Sequence, residues 1–253
     1  MMKWVLKGLQ TGIKTTSYPP ALETALGISP GRPRGQKWGE DSTIPSLIEV
    51  CPTGALEQVE EGISVDYDRC VHCYRCKRET ANPMFWEESY EWAEAADKNS
   101  VLQTPFSRSL HIRIVDAGAC GACLSEIKQM NNPYYNIHRL GFFVTPTPRS
   151  ADVLLVAGPL TDHMRTALRK TYEAMPMPKR VLAVGTCALS GGVFGPSFAA
   201  GSGVAELLPV DVKVPGCPPP PLAILHALLV VSGIKSAAFL RSPQKSNERK
   251  DKR

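Results

Sequence analysis

Apolar positions are short and scattered through the first hundred residues of the chain, then gather into long runs separated by helical stretches. His111 to Asp116 (HIRIVD) alternates apolar and polar residues as a half-buried strand does. Asp152 to Ala157 (DVLLVA) and Arg180 to Gly185 (RVLAVG) are almost continuously apolar, the pattern of parallel strands covered on both faces, and Val212 to Val214 is a shorter strand. Leu124 to Met130 and Thr161 to Met175 have helical spacing, the second with Thr161 or Asp162 placed to cap it. Leu222 to Val231 is apolar apart from His226 and predicts a buried closing helix, well short of the ~20 residues a bilayer requires. Strands alternating with helices predict an α/β unit with a parallel sheet and right-handed crossovers. Upstream, an amphipathic segment surrounds Trp4, Val5, Leu6 and Leu9, and Glu57 to Tyr67 reads as a hairpin turning at Gly62. The acidic and aromatic stretch Glu87 to Asp97 predicts a linking helix.

These patterns divide the chain into residues 1–40, a docking segment; 41–86, a compact cysteine region; 87–109, a linker; 110–240, the α/β unit; and 241–253, a basic tail. The 43% hydrophobic content is that of an ordinary soluble fold. Met1 to Lys14 lacks the long apolar core of a signal peptide, so the expected location is the cytoplasm. The formal charge of +5 says little about partners. Arg241 to Arg253 contributes a net +4, and the remaining +1 is no footprint for nucleic acid.

The eight cysteines change the picture most. Disulfides are disfavoured in the cytosol, so clustered cysteines point to metal or redox chemistry. Cys51, Cys70, Cys73 and Cys76 form one set; Cys120, Cys123, Cys187 and Cys217 form another. Members of the second set each follow a predicted strand, where the loops of an open α/β sheet build ligand sites.

Cys70-x2-Cys73-x2-Cys76 places three thiolates on one tight loop, and Cys51-Pro52 supplies a fourth. A four-iron, four-sulfur cubane takes one thiolate per iron, which this arrangement provides. The segment resembles bacterial two-cluster ferredoxins, whose run C-x2-C-x2-C-x3-C-P occurs twice and whose last Cys serves the other cluster. The departures fall in one place. The positions expected to carry the second set hold Asp41, Ile44, Leu47 and Thr80, so one cluster is lost whole and one is kept whole. A zinc site is the alternative for four thiolates. His72, between the ligands, reads as solvent-facing.

Cys120-Gly121-Ala122-Cys123 alone is a weak signal. With Glu126, Asn132-Pro133-Tyr134-Tyr135, Arg139, Pro148-Arg149-Ser150-Ala151-Asp152, Gly185-Thr186-Cys187-Ala188, Gly191-Gly192 and Pro215-Gly216-Cys217-Pro218-Pro219 in order, it resembles a specific family. The resemblance is to the small subunit of energy-converting, membrane-bound [NiFe]-hydrogenases of the formate hydrogenlyase type. It extends to the homologous cluster-bearing subunit of complex I. It implies a flavodoxin-like domain preceded by a small α+β ferredoxin-like domain, two [4Fe-4S] clusters, and no complete active site on this chain. It also implies a hydrogenase-type large subunit as partner, further redox and membrane subunits, and a peripheral place on the inner face of the cell membrane. A complex I-like quinone or carrier oxidoreductase without a nickel site is the competing assignment. Glu126 reads either as an interface carboxylate that helps proton movement or as a first-turn carboxylate favoured by the helix dipole. Arg139 reads either as a brace for cluster or partner or as a surface ion pair. Gly191 and Gly192 are expected to let the backbone approach the cluster or partner.

Overall fold

The computed structural model describes residues 3–37, 44–60, 62–79, 84–95 and 109–237. The basic tail, Asp41 and Thr80 lie outside them. In chain order the elements are α1 (Lys3–Thr11), β1 (Arg32–Pro33), β2 (Gln36–Lys37), α2 (Ile44–Val50), β3 (Leu56–Val59), β4 (Gly62–Val65), α3 (Arg75–Arg78), β5 (Trp86–Glu87), β6 (Glu94–Ala95), β7 (Leu110–Asp116), α4 (Ala122–Gln129), β8 (Phe142–Val144), β9 (Val153–Ala157), α5 (Asp162–Glu173), β10 (Arg180–Val184), α6 (Thr186–Ser190), β11 (Val212–Val214) and α7 (Pro221–Val231).

The large sheet has the order β6-β11-β10-β9-β7-β8. Its pairs are parallel except at the β6 edge, which runs antiparallel to β11. Numbered along the chain, the five parallel strands lie as 2-1-3-4-5, the doubly wound order of flavodoxin-like sheets. Alternate residues of β9 explain the layering: Val153, Leu155 and Ala157 face one core with α4 and α7, while Leu154 and Val156 face another with Leu168 of α5 and Ala188 of α6. Every residue of β9 is buried, as its unbroken apolar sequence requires. Pro221 opens α7, where its missing N–H has no helical partner to lose. All eleven residues of that helix are buried, because the sheet covers one side while Tyr18, Tyr90, Trp92 and Ala93 join its core cluster from the first half of the chain. The expected cap on α5 is positional only: Thr161 occupies the N-cap without a side-chain hydrogen bond, and Asp162 engages Arg165 at 2.9 Å instead.

The first half forms small antiparallel pieces. β3 and β4 make the hairpin at Gly62 foreseen in the sequence, β2 adds a third strand, and β1 pairs with β5. Leu47, one of the positions without the cysteine of the two-cluster pattern, is fully buried with Leu56, Ile63, Met84 and Trp86. The helix expected across Glu87 to Asp97 is not formed in its described part, which holds β5, irregular chain and β6. Burial decides against it. Trp92 is 1% exposed and donates its indole N–H to the Pro215 carbonyl at 3.0 Å, and β6 closes the edge of the large sheet. Those long-range gains exceed what one isolated helix of such length offers.

His226, in the middle of α7, is the core's titratable group. The Ala93 N–H donates to its Nδ1 at 3.2 Å, and burial pushes its pKa down to about 4 against the opposing pull of Glu91. The folded state therefore holds the neutral ring. Stability from this group is complete above the unfolded value near 6.5 and is lost as pH falls from there towards 4. The full effect is about 3 kcal/mol. Denaturant midpoints measured at about pH 7.5 and about pH 5, on either side of the unfolded value, check this; the acid loss is expected to shrink in His226→Gln, and an unchanged loss refutes the assignment.

Candidate metal centres

Two groups of four cysteines are each drawn together, one in the first half of the chain and one beside the large sheet. Cys51 follows α2 and accepts a hydrogen bond on Sγ from the Ala55 N–H at 3.2 Å. Cys70 follows the hairpin, and Cys76 lies on α3. Between them the backbone turns tightly through two left-handed residues, His72 at φ 51° and Tyr74 at φ 62°, a strained conformation for side chains of this size. The turn brings Cys51, Cys70, Cys73 and Cys76 onto the wall of one small, partly open cavity, with Thr53, Tyr74 and Trp86. Burial first, then the neighbouring thiols, pushes Cys70 up to about 12. Burial also raises Cys76. Such thiols become thiolates only when a cation compensates them, which is what coordination does.

Trp86 carries a buried indole N–H with no hydrogen-bond partner of good geometry, yet it lies close enough to Cys76 to draw that thiol's pKa downward. A buried unpaired donor is costly, so an acceptor inside the cavity fits its chemistry. His72 is not solvent-facing. It is 8% exposed, edge-on to Trp86 and Trp92 at 6.0 and 5.6 Å between ring centroids. Burial lowers its pKa to about 4, so the ring is neutral. The left-handed turn sends this side chain inward, a signal that residue type alone does not carry.

The second set sits beyond the carboxyl ends of the parallel strands. Cys120 follows β7 and is exposed, Cys123 is buried in α4, Cys187 is buried in the first turn of α6 behind β10, and Cys217 follows β11. Cys123 rises to about 12, by burial first and then through the nearby Cys187, Cys217 and Cys120. Cys187 rises to about 11 by burial, then through Cys217 and Cys120. Gly185 and Gly192 allow the approach: a Cβ on Gly185 would stand 2.5 Å from the Cys123 Sγ, and one on Gly192 2.8 Å from the Cys187 Sγ. Gly192 thus packs directly against the Cys187 thiol. Among the described residues, no group of three or more His, Cys, Asp or Glu is disposed to hold a metal ion directly. The first set of thiols surrounds a space.

Glu126 is half-buried, and burial raises its pKa, with Tyr135 close enough to feel its charge. It lies past the first turn of α4, so the dipole reading does not hold. Arg139 makes no ion pair among the described residues; its guanidinium donates to the Tyr18 and Tyr135 carbonyls, pinning the N-terminal segment to the sheet unit. Thr16 adds a backbone bond to the Tyr134 carbonyl at 2.8 Å. The two halves also meet directly at the cysteine loops. Thr186 Oγ1 donates to the Cys70 carbonyl at 2.8 Å, Ser190 Oγ to the Asp68 carbonyl at 2.7 Å, and Lys213 pairs with Asp68. No periodicity in the sequence announces these contacts, since each joins residues more than a hundred positions apart.

Residues 120–231 match the family model described as NADH ubiquinone oxidoreductase, 20 Kd subunit. An uncharacterized protein of Methanocaldococcus jannaschii is 46% identical over 125 residues, covering 49% of this chain and 84% of that protein. Formate hydrogenlyase subunit 7 of Escherichia coli K12 is 36% identical over 152 residues, or 60% of this chain; the chain spans 58% of that subunit's length. Among solved structures, a chain of the membrane-bound sulfane sulfur reductase, an archaeal respiratory membrane complex, superposes with a TM-score of 0.44 at 29% identity, covering 53% of this chain and 77% of that one. The late cysteines, Cys120, Cys123, Cys187 and Cys217, all fall within the matched span, and on that span the chain belongs to the family of the 20 Kd subunit of NADH ubiquinone oxidoreductase.

Proposed function

We propose that the chain is an electron-transfer subunit of a hydrogenase-like complex, passing single electrons through two [4Fe-4S] clusters. Cys51, Cys70, Cys73 and Cys76 hold the first, in a ferredoxin-like unit spanning 41–86; Cys120, Cys123, Cys187 and Cys217 hold the second. The observation that carries this reading is the cavity walled by four thiols and an unpartnered indole N–H. A lone zinc, with Zn–S distances of ~2.3 Å, needs four sulfurs converging on a point. A cubane fills a space and carries sulfides that accept hydrogen bonds, and it supplies one-electron chemistry. The cysteines' surroundings then set each potential through burial and hydrogen bonds to sulfur.

In the second set Cys120 is exposed, and Val193 and Phe194, which follow the Gly192 that lies against the Cys187 thiol, are 65% and 61% exposed. An apolar, uncovered rim of this kind supports a large-subunit partner seated over that site, where hydrogen oxidation or proton reduction takes place. Formate hydrogenlyase subunit 7 being a relative favours the hydrogenase branch over a nickel-free quinone or carrier oxidoreductase. Among the described residues no helix is long and apolar enough to cross a membrane.

Iron and sulfide analysis of the anaerobically purified chain tests the reading. About eight irons per chain, with brown absorbance bleached by dithionite, is the expected result. Stoichiometric zinc without sulfide overturns it.

A further inference from the structure

Thr186 is bonded directly to Cys187 and is 1% exposed, while Cys70 carries a thiol of the other set. Their hydrogen bond, Oγ1 to carbonyl oxygen at 2.8 Å, is buried. A path from the Cys70 sulfur to the Cys187 sulfur thus runs along covalent bonds with a single hydrogen bond as its only break. The other polar contacts between these two segments lie farther from a thiol. Ser190 is three residues from Cys187 and Asp68 two from Cys70; Lys213 is four from Cys217; Trp92 reaches Pro215, two residues from Cys217, from a segment that holds no cysteine.

Resting on the two-cluster reading above, the geometry points to Thr186 as the residue that wires the two sites together, with the Thr186 hydroxyl and the Cys70 carbonyl as the crossing point for the electron. Tunnelling falls off more gently along bonds and hydrogen bonds than across a van der Waals gap, so this contact is the preferred crossing. The step is balanced within the chain: one cluster is oxidised by one electron as the other is reduced by it, no covalent bond breaks, and the hydroxyl proton stays on Oγ1. Thr186 acts through Cys70 and Cys187 and is a positioning residue.

The test uses the full chain with both clusters loaded. Sub-stoichiometric reduction, rapid freezing and electron paramagnetic resonance follow how fast one electron redistributes between the two signals. Thr186→Val keeps the shape and removes the hydroxyl; it is expected to slow redistribution several-fold with both signals at full intensity. Thr186→Ser restores the hydroxyl and the rate. Ser190→Ala cuts a neighbouring contact of the same junction without touching the path, and leaves the rate at the wild-type value. A valine variant at the wild-type rate, or Ser190→Ala slowed as much as Thr186→Val, overturns the route while leaving the relay intact. If valine reduces cluster loading, Thr186→Ala is measured with the same expectation. A wild-type chain without two cluster signals overturns the relay itself.

Discussion

Cys73→Ser is expected to empty the first site and leave the second loaded, taking iron from about eight to about four atoms per chain. Cys73 stands between Cys70 and Cys76 on the left-handed turn and lines the same cavity. Serine offers a hard, scarcely acidic oxygen where a soft thiolate is required. Cys120, Cys123, Cys187 and Cys217 lie after β7, β10 and β11, on α4, α6 and the adjoining loops, none of which contains Cys73. One resonance signal is therefore expected to vanish while the other keeps its shape, and electron throughput across the chain is expected to collapse. Loss of both signals from a folded protein, shown by an unchanged circular dichroism spectrum, contradicts the assignment of two independent ligand sets.

Gly185→Ala is expected to do the reverse. Gly185 has φ +88°, a conformation that costs alanine about 1–3 kcal/mol. The larger penalty is steric. The new methyl would sit 2.5 Å from the Cys123 Sγ and 3.4 Å from the Gly216 carbonyl, so the thiol has to leave its place. Iron at the second site is lost and the first signal persists. Gly195→Ala is the control: at φ +60° it carries a similar backbone cost, but its Cβ meets nothing within 4 Å. It is expected to lose some stability and no iron. Full iron in Gly185→Ala disproves the close packing of the second site.

The sheet was legible in the sequence because its signals are local. DVLLVA and RVLAVG encode burial on both faces through unbroken apolar runs, and both form strands. The grouping of the cysteines was legible for a similar reason: cysteine spacing on one loop, and position after a strand, are both written along the chain. What could not be read is what distant residues decide. Trp92 and β6 are held in place by Pro215 and β11, so a stretch with helical composition becomes extended. His72 is buried because the turn at residues 72 and 74 is left-handed and two tryptophans close over it. Arg139 finds the Tyr18 carbonyl across 121 positions, a partner no charge pattern could suggest.

The junction between the two cysteine sites has a consequence for how this protein can drift in sequence. Ser190 and Trp92 supply side-chain donors, but what they bind is main chain, at Asp68 and Pro215. A carbonyl is offered by every residue that follows the same backbone path. Substitutions on the accepting side can therefore leave these bonds whole, whereas changes at Ser190 or Trp92 delete them outright. Each surface is therefore constrained in its side chain where it donates, at Ser190 on one and Trp92 on the other, and needs only to keep its course where it accepts.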